Sequence, residues 1–432
     1  MRRALAFWAL VALALPRACR LTEVPDADGY IPLVDIAPFL APNATRESQL
    51  RVAREWGRAL EAFGFAAIVG HGVAPEAQEA LFAAAAAFFA RPSAAKLAAM
   101  APGGYGTFGG YTPPGVESVA RSSRDGSRRS APPDLVENVV FLPGMLPAAG
   151  GARTIATDTG TGSDAAGAAS NDPLASLAGP AGAYWGQMSG LVGCLHELSA
   201  LALGLKDPGY FDAFYAQHPS FALRLAHYPP LQSGEDAGEA STCRGARGEA
   251  AAAAAPEACA ECDDEDRSGG AVRYGAHTDY QGFTVLRPDP TRPGLEVLKP
   301  KPWGQRGGGW AGGAGSGAVA GADACDEGEG QAWVPVREDA VAAAGALLVN
   351  LGDLWQHWTN DKWPATCHRV ANPPAGSDHA RHPRLSLVFF TGPRADAVVA
   401  PLDACVDSEH PARYAPVVSG DHLRAKVAAS NV

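Results

Sequence analysis

Apolar residues recur along the chain with two different periods, and the change of period divides the sequence into two regions. In the first region Leu50, Ala53, Trp56, Leu60 and Phe63 recur every three to four residues, which predicts an amphipathic helix. Short apolar runs on either side of this helix predict strands, and two further helices follow. The strands are predicted at 31–36 and 64–69, and the further helices at 75–90 and 184–205.

From residue 221 onward the helical period gives way to short β-rich runs separated by Gly, Pro and Asp turns. This pattern is typical of a barrel-like or jelly-roll sheet. We therefore expect an α+β protein with a mainly helical region at 30–205 and a jelly-roll region at 206–432. The β-rich runs lie at 221–228, 276–286, 345–350 and 384–391.

Low-complexity segments rich in Gly, Ala and acidic residues interrupt these patterns near 148–172, 232–270 and 304–330. Their composition cannot supply a packed core. We expect surface loops or disorder, and we expect that 304–330 can be removed without affecting folding.

The composition excludes some partners. The chain has 432 residues, 47% of them hydrophobic, which is enough for a substantial globular core. Its formal charge of -11 gives no overall attraction to nucleic acid, and the one dense basic run, 121–129, is predicted to be a mobile loop. We expect a small-molecule substrate and no nucleic acid, and the sequence makes no prediction of oligomeric state.

The first 29 residues form a candidate targeting segment. Basic residues at 2–3 precede the apolar run 4–15, as in a signal peptide, but the run is too short to span a bilayer. The cytoplasm is the expected location, with a secretory or organelle route as the alternative. On that route Asn43 would be a glycosylation acceptor, although Thr45 is equally well placed to cap the following helix.

The eight cysteines are scattered over the chain, unlike those of a small disulfide-rich domain, and are expected to be mostly free thiols. Cys259 and Cys262 have redox or zinc-site spacing. No second pair follows them, so we interpret their segment as a solvated insertion.

His277 and Asp279 are candidate metal ligands. They lie two residues apart in a β-type segment, so their side chains should project from the same face. His368 can supply a third ligand. Two histidines and one carboxylate form the facial triad of non-haem iron(II) oxygenases, which leaves coordination positions for co-substrate and dioxygen. A lone His-x-Asp pair also occurs by chance, and a lone histidine is more often a surface or core residue.

Arg384 and Ser386 are two residues apart in a strand downstream of His368 and should also face the same way. The arginine fork pairs with a carboxylate through two hydrogen bonds, and the serine hydroxyl can donate to the same group. The structural alternative is an ion pair at the strand edge.

Together these motifs resemble the 2-oxoglutarate/iron(II)-dependent dioxygenase superfamily, in the branch that contains isopenicillin N synthase. The resemblance implies a distorted double-stranded β-helix with a helical N-terminal part packed on it. The resemblance covers most of the chain outside the insertions. The similar segments, in the order of the family, are 31–36, 63–73, 221–230, 275–286, 294–298, 349–361 and 384–390.

The resemblance also implies the chemistry of the site. Fe(II) would be held by His277, Asp279 and His368, and 2-oxoglutarate by Arg384, Ser386 and Tyr228. With O2, a small-molecule substrate would be oxidised, by default hydroxylated, with release of succinate and CO2. Desaturation and ring closure remain open. The alternatives are a same-fold oxidase that does not use 2-oxoglutarate and a non-catalytic metal-containing binding module.

Some positions depart from the family pattern. Ala226 stands where many plant members have Asn, which removes one expected contact to the co-substrate. His227 and His357 are expected not to be ligands, and His71 is expected to be structural. The long separation of His277 from His368 is accounted for by the insertion 304–330, which need not disturb the site because the cost of loop closure grows slowly with length.

Overall fold

The computed structural model describes residues 31–101, 109–122, 131–146, 172–231, 272–301, 325 and 331–430. The candidate targeting segment, the Cys259–Cys262 pair and the insertion 232–270 lie outside these residues. Most of the basic run 121–129 and most of the insertions 148–172 and 304–330 also lie outside them. No helix in the described ranges is long and apolar enough to cross a membrane.

The predicted helices are present. The helix Arg46–Phe63 begins after Thr45, whose hydroxyl accepts a hydrogen bond from the Ser48 N–H at 3.2 Å, and ends at Gly64 in the left-handed conformation. The helix Ala175–Ala202 begins nine residues earlier than predicted and contains Pro180. The helices are α1 (Ala37–Leu40), α2 (Arg46–Phe63), α3 (Pro75–Phe89), α4 (Ser93–Leu97), α5 (Ala175–Ala202), α6 (Asp212–Tyr215), α7 (Glu338–Ala343), α8 (Asp353–Trp358), α9 (Asp378–Arg381) and α10 (Ser419–Ser430).

The strands follow the predicted β-rich runs and add short strands that no pattern indicated. The predicted run 276–286 is divided by a turn into two strands. The strands are β1 (Leu33–Asp35), β2 (Phe65–Val69), β3 (Gly110–Thr112), β4 (Glu137–Phe141), β5 (Ala222–Tyr228), β6 (Tyr274–His277), β7 (Phe283–Arg287), β8 (Leu295–Leu298), β9 (Trp333–Pro335), β10 (Leu347–Leu351), β11 (His368–Val370), β12 (Arg384–Phe390), β13 (Val398–Val399) and β14 (Val417–Val418).

Two sheets make up the jelly roll. The larger has the order β1-β2-β10-β7-β12-β5-β4-β3 and the smaller the order β6-β11-β8-β9. Strands β1 to β4 come from the region predicted to be mainly helical, yet they form both edges of the larger sheet. The regions 30–205 and 206–432 therefore share one sheet and do not fold as separate layers.

The two faces of the larger sheet pack against different partners. One face packs on α2, α3 and α5, where Leu225, Leu387 and Phe389 join one apolar core with Trp56 and Tyr184. The opposite face packs on the smaller sheet through a second apolar cluster, which includes residues of β2, β8 and β10. The space between the two sheets is where the candidate ligands lie.

One pair of cysteines departs from the expectation of mostly free thiols. Cys325 and Cys367 form a disulfide, whereas Cys194 and Cys405 are free. Because Cys367 precedes β11, the disulfide joins the insertion 304–330 to that strand. The insertion is thus tied to the domain at Cys325, and the removal of 304–330 without effect on folding stays a prediction.

Candidate active site

His277 and His368 lie directly opposite each other on adjacent strands of the smaller sheet. His277 ends β6 and His368 begins β11, and the two are paired in register. Asp279 lies beyond the end of β6, so the prediction that histidine and aspartate share one face of a strand is wrong. The turn nevertheless brings the carboxylate back, with Asp279 Oδ1 at 3.6 Å from His277 Nε2 and 3.8 Å from His368 Nε2. One ligand atom from each residue lies within 4.8 Å of the other two.

The Asp279 carboxylate is oriented by two residues of the larger sheet. Its Oδ2 accepts hydrogen bonds from Thr284 Oγ1 on β7 and Asn350 Nδ2 on β10, both at 2.5 Å. These bonds turn Oδ1 toward the two imidazoles. Such outer contacts fix the geometry of a metal ligand.

Backbone carbonyls set the tautomers of both histidines. His277 Nδ1 lies 2.8 Å from the Gly275 carbonyl oxygen, and His368 Nδ1 lies 3.1 Å from that of Thr366. A carbonyl can only accept, so each Nδ1 carries the proton and each Nε2 presents a lone pair toward Asp279 Oδ1. Three electron-pair donors converge on one point and repel each other. A cation at that point removes the repulsion, so the donor set fits a metal ion.

Burial and neighbouring groups shift the pKa values of His368 and Asp279 in the directions that favour metal binding. His277, Asp279 and His368 are all buried. Burial, together with the neighbouring His277, lowers the pKa of His368 to about 4. Burial by itself would raise the pKa of Asp279, but the two histidines and the Thr284 hydrogen bond outweigh it and lower that pKa. Neutral imidazole and ionised carboxylate are the states that coordinate metals, and two histidines with one carboxylate suit iron(II).

Arg384, Ser386 and Tyr228 also lie together, on the inner face of the larger sheet. Arg384 is 1% exposed, and its Nη1 is 3.5 Å from Ser386 Oγ. Tyr228 on β5 is paired in register with Arg384 on β12, and the guanidinium carbon is 5.0 Å from the centre of its ring. The predicted carboxylate-binding residues are therefore adjacent.

Glu338, which no sequence pattern indicated, already contacts this arginine. Its Oε1 accepts from Arg384 Nη2 at 2.5 Å, and its Oε2 accepts from the backbone N–H groups of Gly294 and Leu295. Glu338 is 0% exposed. In the sequence it is an ordinary acidic residue at the start of a short helix, and nothing in that pattern indicates a partner 46 residues away.

The other three histidines named from the sequence make contacts outside this group. His227 Nδ1 is 2.8 Å from Glu137 Oε1, and its ring stacks on Phe89 on the helical side of the sheet. His357 Nε2 donates to the Ala415 carbonyl. His71 accepts from the Val73 N–H, as expected of a structural residue in a turn.

Ala226, the departure from the plant pattern, is buried beside Tyr228. Both belong to a small apolar cluster with Val136 and Val370. The position that would carry an amide in many plant members is therefore part of an apolar wall.

Comparison with known proteins shows two matching family profiles. Residues 31–141 match the family described as "non-haem dioxygenase in morphine synthesis N-terminal", and residues 315–393 match the "2OG-Fe(II) oxygenase superfamily". The second match contains His368 and Arg384, and the first covers β1 to β4.

Curated relatives match over most of their length. The 2-oxoglutarate-dependent dioxygenase citB of Monascus ruber is 28% identical over 377 residues, which cover 87% of this chain and 88% of the relative. Gibberellin 2-beta-dioxygenase 2 of Oryza sativa subsp. japonica is 27% identical over 397 residues, covering 91% and 82%.

The fold is also that of a solved structure, a full-length Neurospora crassa protein in complex with alpha-KG and thymine. The TM-score is 0.62 at 24% identity, with 94% of this chain and 99% of that chain covered. That likeness establishes the jelly-roll fold. The profiles, the relatives and the converging His277, Asp279 and His368 side chains agree, and the chain belongs to the 2-oxoglutarate/iron(II)-dependent dioxygenase superfamily of oxidoreductases.

Proposed function

We propose that this protein couples the oxidative decarboxylation of 2-oxoglutarate to the hydroxylation of a small molecule, with release of succinate and CO2. The observation that carries the proposal is the buried group His277, Asp279 and His368, in which two Nε2 lone pairs and a carboxylate oxygen converge. That group fits Fe(II) and lies between the two sheets of a jelly roll.

In this proposal the three residues hold Fe(II) on one face and leave the opposite face for co-substrate and dioxygen. Bound iron would supply the activation of O2 that carbon hydroxylation requires. The Gly275 and Thr366 carbonyls orient both imidazoles through their Nδ1 atoms, and burial favours the neutral form of His368 by lowering its pKa. The buried surroundings exclude water from the reacting atoms.

The co-substrate would be held by its distal carboxylate. Arg384 and Ser386 project from the same face of β12, and Tyr228 lies beside them on β5. Arg384 Nη1 and the serine hydroxyl can both donate to one carboxylate, and a charged hydrogen bond of this kind is strong in a buried site. The similar proteins support this assignment, because citB is named a 2-oxoglutarate-dependent dioxygenase and the Neurospora crassa protein was solved with alpha-KG.

A same-fold oxidase that does not use 2-oxoglutarate is the second candidate. The Glu338 carboxylate favours it, because it already occupies the Nη2 of Arg384. In that case Arg384 would hold a carboxylate of the substrate itself, or serve the fold alone.

The decisive experiment measures succinate. Purified protein is reconstituted with Fe(II) under argon, supplied with O2 and 2-oxoglutarate, and assayed against a panel of small metabolites. We expect one succinate per oxidised substrate molecule, and none from the Asp279→Ala variant. Substrate oxidation that needs no 2-oxoglutarate and releases no succinate would establish the oxidase. A folded, iron-loaded protein that consumes no O2 with any member of the panel would favour a binding module.

A further inference from the structure

Arg273 is a buried cation outside the residues assigned to iron and to 2-oxoglutarate. It is 0% exposed and lies four residues before His277. Its Nη2 donates to the carbonyl of His379 at 3.2 Å, but nothing in the described part of the chain accepts from its Nε or Nη1. Buried guanidinium donors without an acceptor are rare and costly, because such a group loses its hydration without replacement.

The side chain lies close to residues that contact Arg384. Beside His379, whose carbonyl accepts from Arg273 Nη2, Asp378 pairs with Arg292, and the Arg292 carbonyl accepts from Arg384 Nε at 3.0 Å. Burial and then the charge of Arg384 lower the pKa of Arg273, whereas Tyr228 raises it. Arg273 therefore lies within electrostatic reach of the group that is expected to hold the distal carboxylate.

The nearby protein carboxylates are committed to other donors. Glu338 accepts from Arg384 and from two backbone N–H groups. Asp289 accepts from the backbone N–H groups of Thr291 and Leu385, among others. Both lower the free energy of charged Arg273 at a distance, but neither bonds to it, so the three N–H donors of its Nε and Nη1 have no acceptor among the described residues.

We propose that Arg273 is a second binding residue for the distal carboxylate of 2-oxoglutarate, acting together with Arg384 Nη1 and Ser386 Oγ. This inference rests on the proposed function. Glu338 accepts from Nη2 of Arg384 and balances its charge. Arg384 by itself therefore cannot form the usual two hydrogen bonds to a second carboxylate. Arg273 supplies the missing donors and the uncompensated charge. The site thereby selects 2-oxo acids with a second carboxylate.

The test compares two 2-oxo acids that differ at the distal end. Titration calorimetry under argon, with Mn(II) in place of iron, measures the Kd of 2-oxoglutarate and of 2-oxopentanoate, which has a methyl group instead of the distal carboxylate. Arg273→Gln should weaken 2-oxoglutarate about 10- to 100-fold, the usual range for a charged hydrogen bond, and leave 2-oxopentanoate and Mn(II) unchanged. Arg273→Lys should recover part of the loss.

Arg394→Gln is the matched control, because it removes one positive charge from a partly exposed ion pair with Asp396. It should change neither Kd. A second readout is the Tm of the protein without co-substrate. In Arg273→Met that Tm should stay the same or rise, because the substitution removes a cation that lacks acceptors. If Arg273 had a purely structural role, the Tm would fall.

Three results would overturn the inference. One is an unchanged Kd for 2-oxoglutarate in Arg273→Gln when the unmutated protein binds it. Another is equal weakening of 2-oxoglutarate and 2-oxopentanoate, since the effect would then not concern the distal carboxylate. The third is a lower Tm in Arg273→Met without a change in either Kd. If the unmutated protein binds no 2-oxoglutarate at all, the proposed function fails first and this inference with it.

Discussion

The two faces of the larger sheet are built by different rules. On the helical face, β5 and β12 present Leu225, Leu387 and Phe389 to helices whose apolar residues recur with the helical period. On the inner face the same sheet presents Asn350 and Arg384, each bonded to one particular acidic side chain. An apolar face accepts any well-fitting apolar partner, whereas a buried polar face needs a specific one.

The partners on the inner face come from distant parts of the chain. Asn350 reaches Asp279 across 71 residues, and Arg384 reaches Glu338 across 46. Replacing a leucine on the helical face removes packing. Replacing one member of an inner pair leaves the other buried without a partner, so the two faces should respond differently to substitution.

The largest effect is expected at the group of metal ligands between the two sheets. Asp279→Ala removes the carboxylate on which both imidazoles converge, and we expect loss of Fe(II) binding and of turnover by at least about three orders of magnitude. The fold should persist, because the lost repulsion between donors offsets the lost bonds to Thr284 and Asn350. Iron content and circular dichroism measure the two effects. His277→Ala and His368→Ala should behave alike, whereas His357→Ala should retain iron.

The next effect concerns the buried ion pair. Arg384→Ala leaves Glu338 0% exposed and without its cation, which should destabilise the protein by about 3–5 kcal/mol. Adding Glu338→Gln should restore much of that loss in urea unfolding, since a neutral amide no longer needs a cation. The double variant should still bind 2-oxoglutarate poorly. If the double variant is as unstable as Arg384→Ala, lost packing and not the unpaired charge of Glu338 causes the destabilisation.

On the helical face, Leu387→Ala should cost about 2–5 kcal/mol through a cavity in the apolar core. Leu387 is 0% exposed, but it contacts the helices and not the metal group. The Kd values for Fe(II) and 2-oxoglutarate should therefore stay unchanged at temperatures where the variant is folded. A large fall in Fe(II) affinity would show that the two faces are coupled through β12.

The same contrast explains what could be predicted from the sequence. Helices α2 and α3 and strands β5, β10 and β12 follow from periodicity and breakers such as Pro92. The motif residues His277, His368 and Arg384 follow from the family resemblance. Glu338 and Arg273 could not be predicted from local pattern, because their roles depend on charges brought together by tertiary structure.

The Cys325–Cys367 disulfide joins the insertion 304–330 to the smaller sheet. Its removal should have the next smaller effect on stability. Cys325→Ser opens a loop with a sequence separation of 42 residues, which should lower the stability of the oxidised protein by about 2–4 kcal/mol. The unmutated protein in excess dithiothreitol should show the same loss. Cys194→Ser, at a free cysteine, is the control. Equal stability of Cys325→Ser and unmutated protein under oxidising conditions would show that the disulfide does not contribute.

The smallest effect tests whether the helical face is purely apolar. His196 on α5 is buried against Tyr215, Phe283 and Trp355, and within the described residues its Nε2 has no partner. Burial lowers its pKa to about 3, below the ordinary value of 6.5. The unfolded chain therefore binds a proton before the folded one, and stability is lost as pH falls from about 6.5 toward 3. At pH 5 this histidine should lower the free energy of unfolding by about 2 kcal/mol. His196→Phe should remove that loss and leave the difference in stability between pH 7 and pH 8 unchanged. Urea unfolding between pH 5 and 8 measures it, and an identical pH slope in both proteins would mean that His196 does not stay neutral in the folded state.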